Sequence, residues 1–96
     1  RFYECDVKCI RMEEGTGKYE GTLGAIVVNY KGFEVNTGSG FTDEQREFYW
    51  NNQNEIIGKI VTVKYKEETH NKNGGTSIQF PIFQCVRFDK TKESYN

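Results

Sequence analysis

The sequence predicts a small all-β barrel or sandwich with one short helix, and three observations predict it. Several stretches alternate apolar and polar residues with the period of a half-buried strand. One capped segment, between the third and fourth of those stretches, carries the signals of a helix start. The length of 96 residues is that of one domain, with room for one compact core and none for a second catalytic unit.

Arg1 to Arg11 alternates Tyr3, Cys5, Val7 and Cys9 against Glu4, Asp6 and Lys8, which is a half-buried strand. Met12 to Gly21 breaks it with three glycines among polar residues and exposes Lys18 at a basic tip. Leu23 to Tyr30 is a nearly continuous apolar run, too short and too β-branched for a helix, and Lys31-Gly32 turns it into Phe33 to Val35 as a hairpin. After Asn36 to Gly40, Thr42 reads as an N-cap with Gln45 completing a capping box and Asp43 and Glu44 in the first turn. The helix runs to about Asn52, and its Phe48, Tyr49 and Trp50 cannot all face one way, so one ring is partly exposed or closes a barrel end. Lys59 to Glu67 alternates Val61, Val63 and Tyr65 against Thr62, Lys64 and Lys66, a basic stripe for solvent or DNA. Glu68 to Thr76 is a polar loop with an Asn73-Gly74 hairpin signal. In the final stretch, Gln79 to Lys90, alternation sets Phe83, Cys85, Arg87 and Asp89 opposite Ile82, Gln84, Val86 and Phe88. The domain is expected over 1–90, with 91–96 a frayed polar tail.

Thirteen basic and 14 acidic residues give a net charge of −1, so any nucleic-acid contact must come from segregated lysines and not from bulk attraction. Three cysteines, no signal peptide and no apolar span of membrane length point to a reducing cytosol and to no membrane partner. Cys5, Cys9, His70 and Cys85 would make four zinc ligands, but they lack the tight Cys-x-x-Cys knuckle, and no metal site is assigned.

Charges at a strand end are solvated by default. Arg87, Asp89 and Lys90 in such short compass also suit one job well, with two cations to grip phosphate oxygens and a carboxylate to hold one of them in position.

Phe80-Pro81-x-Phe83 followed by Arg87-x-Asp89-Lys90 resembles the last nucleotidyltransferase motif of ATP-dependent DNA ligases. Gly15 to Gly21 leading to Leu23-Gly24-Ala25, Val35 to Gly40, and Ile57 to Val61 resemble the C-terminal oligonucleotide-binding (OB) domain of that family. Asn36 to Gly40, Asn52-Gln53-Asn54 and Asp89 to Lys92 look most like the tailed-phage type. The resemblance spans nearly the whole chain and gives the pattern a specific name, a five-stranded OB barrel with its helix between strands 3 and 4.

The resemblance implies a C-terminal domain, non-catalytic alone, of an enzyme that seals nicks in DNA repair and replication. Arg87, Asp89 and Lys90 would orient the β and γ phosphates of ATP beside Mg²⁺ during enzyme adenylylation, while the adenylylated lysine and most ATP and Mg²⁺ contacts belong to an upstream nucleotidyltransferase domain. Lys18-Tyr19-Glu20-Gly21 imitates the K-x-D-G nucleophile signature, but too little chain comes after it to build a nucleotide pocket. Nicked duplex DNA would meet Lys18, Lys64, Lys66 and Phe80, with Phe80 in the place of an aromatic minor-groove wedge. Strict alternation instead puts Phe80 with Ile78, Ile82 and Val86 on the core face, unless Pro81 disturbs the parity. Gln79 and Cys85 stand where many relatives have Arg. A monomer in the cytoplasm of a bacterium or phage-infected host is expected. Two alternatives share parts of this pattern: the OB domain of an mRNA capping guanylyltransferase, and a stand-alone single-strand-binding OB module.

Overall fold

A computed structural model describes residues 1–95. The strands are β1 (Tyr3–Glu14), β2 (Leu23–Tyr30), β3 (Phe33–Thr37), β4 (Ile60–Tyr65), β5 (Glu68–His70), β6 (Thr76–Ile78) and β7 (Ile82–Arg87), with α1 (Asp43–Asn51) between β3 and β4. Five of them form one sheet in the order β3-β2-β1-β4-β7. A parallel bridge between Ser39 and Ile82, with the Phe83 N–H donating to Ser39 O at 2.8 Å, joins the two outer edges. This is the expected OB barrel, with its helix in the expected place.

Closure depends on Gly40. A Cβ there would stand 2.2 Å from the Phe83 carbonyl oxygen, and its φ of +99° lies in the left-handed region that only glycine adopts freely. The β2–β3 turn obeys the same logic, since Lys31 and Gly32 take φ of 52° and 90°, the two positive values of a tight hairpin turn.

Val7, Cys9, Leu23, Ile26, Val28, Tyr30, Val61, Val63 and Phe83 fill the barrel. Burial pushes the thiols of Cys5 and Cys9 up to about 12, while Cys85 is exposed, and among the described residues no three His, Cys, Asp or Glu side chains are grouped so as to hold a metal ion. The capping box forms as predicted: Gln45 N–H donates to Thr42 Oγ1 at 3.0 Å, and Thr42 N–H donates to Gln45 Oε1 at 2.9 Å. Tyr49 and Trp50 pack on the core while Phe48 stays half exposed. Phe41 stacks on Phe83 with centroids 4.2 Å apart, so the helix end of the barrel is closed by aromatic rings.

Four features differ from the sequence-based expectation. β1 runs on to Glu14 past a bulge at Ile10, which lets Cys9 and Met12 both face inward. Residues 68–78 are not a plain loop but the β5–β6 hairpin, its turn held by the Asn71 carboxamide accepting from Asn73 and Gly75 N–H. A second bulge at Gln84 breaks the alternation of the last strand: Phe83 is buried, whereas Cys85 and Arg87 point to the opposite, outer face and Val86 packs inward. The tail is not frayed through Ser94 and Tyr95. Ser94 pairs with Asp6 on the stretch of β1 that β2 leaves unpaired, and the Tyr95 ring stands edge-on to Tyr30 at 5.4 Å. Asn96 lies outside the described residues.

Candidate phosphate and nucleic-acid site

Neighbouring strands β1, β4 and β7 bring Asp6, Thr62 and Arg87 together on the outer face of the barrel. A turn from Arg87 to Lys90 then reverses the chain and leaves Phe88 at its tip, 74% exposed. Arg87 donates from Nε and Nη2 to the two oxygens of Asp89 at 3.0 and 2.9 Å, the fork geometry that fixes a guanidinium plane. Its Nη1 stands 3.4 Å from Thr62 Oγ1 and 3.6 Å from Asp6 Oδ1. Lys90 Nζ donates to Asp6 Oδ2 at 2.7 Å, and Thr62 donates to Asp6 Oδ1 at 2.6 Å. One nearly buried carboxylate therefore anchors both cations of the motif, and its own backbone is tied to Ser94 by two hydrogen bonds of 2.8 and 2.9 Å.

Burial pushes the Asp6 carboxyl up, but hydrogen bonds from Lys90 and Thr62 and the charges of Lys90 and Arg87 outweigh it, holding the group below the usual aspartate range. The Arg87 fork does the same for Asp89. A carboxyl whose folded pKa is lowered stabilises the fold above its unfolded pKa and loses that contribution as pH falls through the folded value. Acidification will therefore release Lys90 from Asp6 only at a pH below that at which an ordinary aspartate takes up its proton. An NMR titration will show the Asp6 carboxyl midpoint below that of an ordinary aspartate, with the Ser94 amide moving at the same pH. A midpoint at or above the ordinary value would contradict the anchoring role.

The residues expected at DNA are not brought together as one patch. Lys64 shares a hollow with Glu4, Asp6 and Arg87 on the clamp face. Lys66 is exposed beyond the end of β4, its N–H bonded to Gln79 O at 2.9 Å. Phe80 is 67% exposed beside Asn36, Ser39 and Pro81, which overturns the placement by alternation. The reason is local: Phe80 has φ of +53°, so the chain kinks before Pro81 and parity is lost. Lys18 sits on the short turn Gly17–Tyr19, its Nζ 5.1 Å from the Tyr19 ring, with Asp43 and Glu47 lining the same hollow. Gln79 and Cys85 are both exposed. The sequence reading missed Asp6 and Thr62 as members of the site, and its one usable signal was the alternation that set both on outward faces.

Residues 14–87 match the family described as DNA ligase OB-like domain. The chain belongs to that family. No curated protein sequence matches it. Among solved structures, this ligase OB domain is similar to Pmar-Lig at 40% identity and a TM-score of 0.83, covering 94% of this chain and 22% of that one. The Chlorella virus DNA ligase-adenylate is 28% identical with a TM-score of 0.75, covering 93% of this chain and 32% of that one. A Lig E DNA ligase, described as binding DNA with a minimal scaffold, is 27% identical with a TM-score of 0.71 over 91% of this chain and 31% of its own. The ligase OB domain thus spans between a fifth and a third of the ligase chains it resembles. Its relatives are ATP-dependent DNA ligases, which favours the ligase over the capping enzyme and the stand-alone module.

Proposed function

We propose that this domain serves two steps of nick sealing from two different surfaces. On the outer face, Arg87 and Lys90 grip the β and γ phosphates of ATP while a lysine of an upstream nucleotidyltransferase domain is adenylylated. The observation that carries this is the anchoring of both cations on Asp6, with Asp89 fixing the Arg87 plane. Preorganised charge of this kind stabilises the negative charge that builds on a departing pyrophosphate without reorganising during the reaction. Asp6 and Asp89 are both occupied by cations, so Mg²⁺ accompanying ATP would be held by the phosphates and the upstream domain. The domain alone is expected to be non-catalytic: Lys18 lies on a short surface turn, in a hollow shared with Asp43 and Glu47, whose charges disfavour the phosphates of a nucleotide.

On the second surface, Phe80 and the neighbouring Lys66, whose N–H is bonded to Gln79 O, meet nicked duplex DNA, Phe80 acting as an apolar wedge in the minor groove. The enzyme works as a monomer in the cytoplasm of a bacterium or phage-infected host. Binding of the chain to nicked duplex is expected to be weak and strongly salt-dependent, with a log–log slope of about −2 to −3 if Lys18, Lys64 and Lys66 each displace a counterion. Phe80→Ala is expected to weaken it about tenfold, at unchanged melting temperature because the ring is not in the core. Salt-independent binding, or unfolding on Phe80→Ala, would contradict this assignment.

A further inference from the structure

Two hollows on the outer face share Arg87, and their charges differ. The larger, about 720 Å³, is lined by Lys64 and Arg87 but also by Glu4 and Asp6, so the formal charge of its lining sums to zero. The smaller, about 270 Å³, is lined by Lys8, Lys59, Arg87 and Lys90, together with Phe88; among the described residues no acidic side chain lines it, and Asp6 and Asp89 act on it only through their pairs with Arg87 and Lys90.

Lys8 and Lys59 make no ion pair among the described residues, so the domain itself does not neutralise them. Their backbones are nevertheless fixed. Lys8 pairs with Ile60 across β1 and β4, Cys9 N–H donates to Lys59 O at 2.9 Å, and Gly58 N–H donates to Cys9 O at 2.7 Å. Like charges gathered on a rigid concave surface repel one another and raise the local potential, a cost that a bound anion relieves. Four cationic side chains line one small hollow, Arg87 and Lys90 held by Asp89 and Asp6 and Lys8 and Lys59 without an acidic partner among the described residues, an arrangement that suits charge concentrated on a few adjacent oxygens. A duplex backbone spreads its charge along its length and is met by a stripe of cations.

We infer that Lys8 and Lys59 extend the Arg87–Lys90 clamp into a polyphosphate site, so that pyrophosphate, or the β and γ phosphates of ATP, lies on the Lys8–Lys59 side of Arg87 and not on the Lys64 side. This rests on the clamp proposed above and adds two residues and a direction to it.

The test is pyrophosphate titrated into the chain at low salt, monitored by amide NMR and calorimetry. Amide shifts are expected at Lys8, Lys59, Arg87 and Lys90. Lys8→Gln and Lys59→Gln are each expected to weaken binding about three- to fivefold, and the pair about tenfold. Lys64→Gln, and Lys72→Gln on the β5–β6 turn as a control for lost charge, should stay within about twofold. Shifts at Arg87 and Lys90 with silent Lys8 and Lys59 variants would overturn the inference and leave the clamp standing. A larger loss from Lys64→Gln than from Lys59→Gln would place the phosphates in the other hollow. No shift at any of the four residues would sink the clamp as well. A short nicked duplex that moves the Lys8 and Lys59 amides where pyrophosphate does not would assign this hollow to DNA and overturn the inference.

Discussion

Arg87→Ala in the complete ligase will slow self-adenylylation by about 10²-fold or more, the usual loss when one preorganised charge at a reacting group is removed. The guanidinium is held on three sides, by Asp89 through Nε and Nη2 and by Thr62 and Asp6 at Nη1, so it stands in place before phosphate arrives. Its remaining N–H donors stay available to phosphate oxygens. Arg87→Lys will not restore the rate, because an ammonium cannot be oriented by the Asp89 fork. Lys90→Ala will act in the same step, and Asp6→Asn will act on it indirectly by loosening Lys90. Single-turnover transfer of labelled AMP to the enzyme measures all of these. A rate within about threefold of wild type for Arg87→Ala would remove it from the step.

The second large effect is on folding. Arg46→Met is expected to destabilise the domain by roughly 3 kcal/mol or more. Arg46 is 6% exposed and donates through Nη1 to Leu23 O and Gly24 O, both at 2.9 Å, and through Nη2 to Gly38 O at 2.8 Å. These carbonyls lie at the start of β2 and just past the end of β3, so one side chain ties α1 to two strands. Its guanidinium also stacks on Tyr19, with Cζ 4.1 Å from the ring centroid. Methionine fills much of the volume but leaves three carbonyls without that donor, and a hydrogen bond to a charged group contributes about 1.5 to 3 kcal/mol. For a domain of this size the melting temperature falls by more than about 10 °C. A fall of only a few degrees would show that water or neighbouring N–H groups replace the guanidinium.

Much of this architecture is legible in local pattern. The Lys31-Gly32 turn, the Thr42–Gln45 capping box and the outward set of Thr62 and Lys64 are properties of short segments, where steric and hydrogen-bonding rules act over a few residues. The R-x-D-K stretch is visible for the same reason, since Arg87 and Asp89 are two residues apart and pair directly. Asp6 is not legible as a site residue because its partner Lys90 lies 84 positions away, and locally it is one of several charges on a strand. The bulges at Ile10 and Gln84 carry no glycine or proline to announce them, yet each reverses the inward–outward parity of the residues after it. Phe80 escapes the alternation rule through a positive φ that a bulky residue rarely adopts. The docked tail depends on an unpaired stretch of β1 that exists only once the sheet is assembled.

The clamp and the wedge lie on different surfaces, Arg87 between the hollows of the outer face and Phe80 beside the edge where β7 meets the β3 end. The most direct measurement is therefore a two-step comparison in the complete ligase: the rate of AMP transfer to the enzyme, and the rate of nick sealing by enzyme already carrying AMP. Arg87→Ala is predicted to fail the first and largely spare the second, and Phe80→Ala to do the reverse. If both substitutions slow the same step to the same extent, the assignment of the two surfaces to two separate steps is wrong.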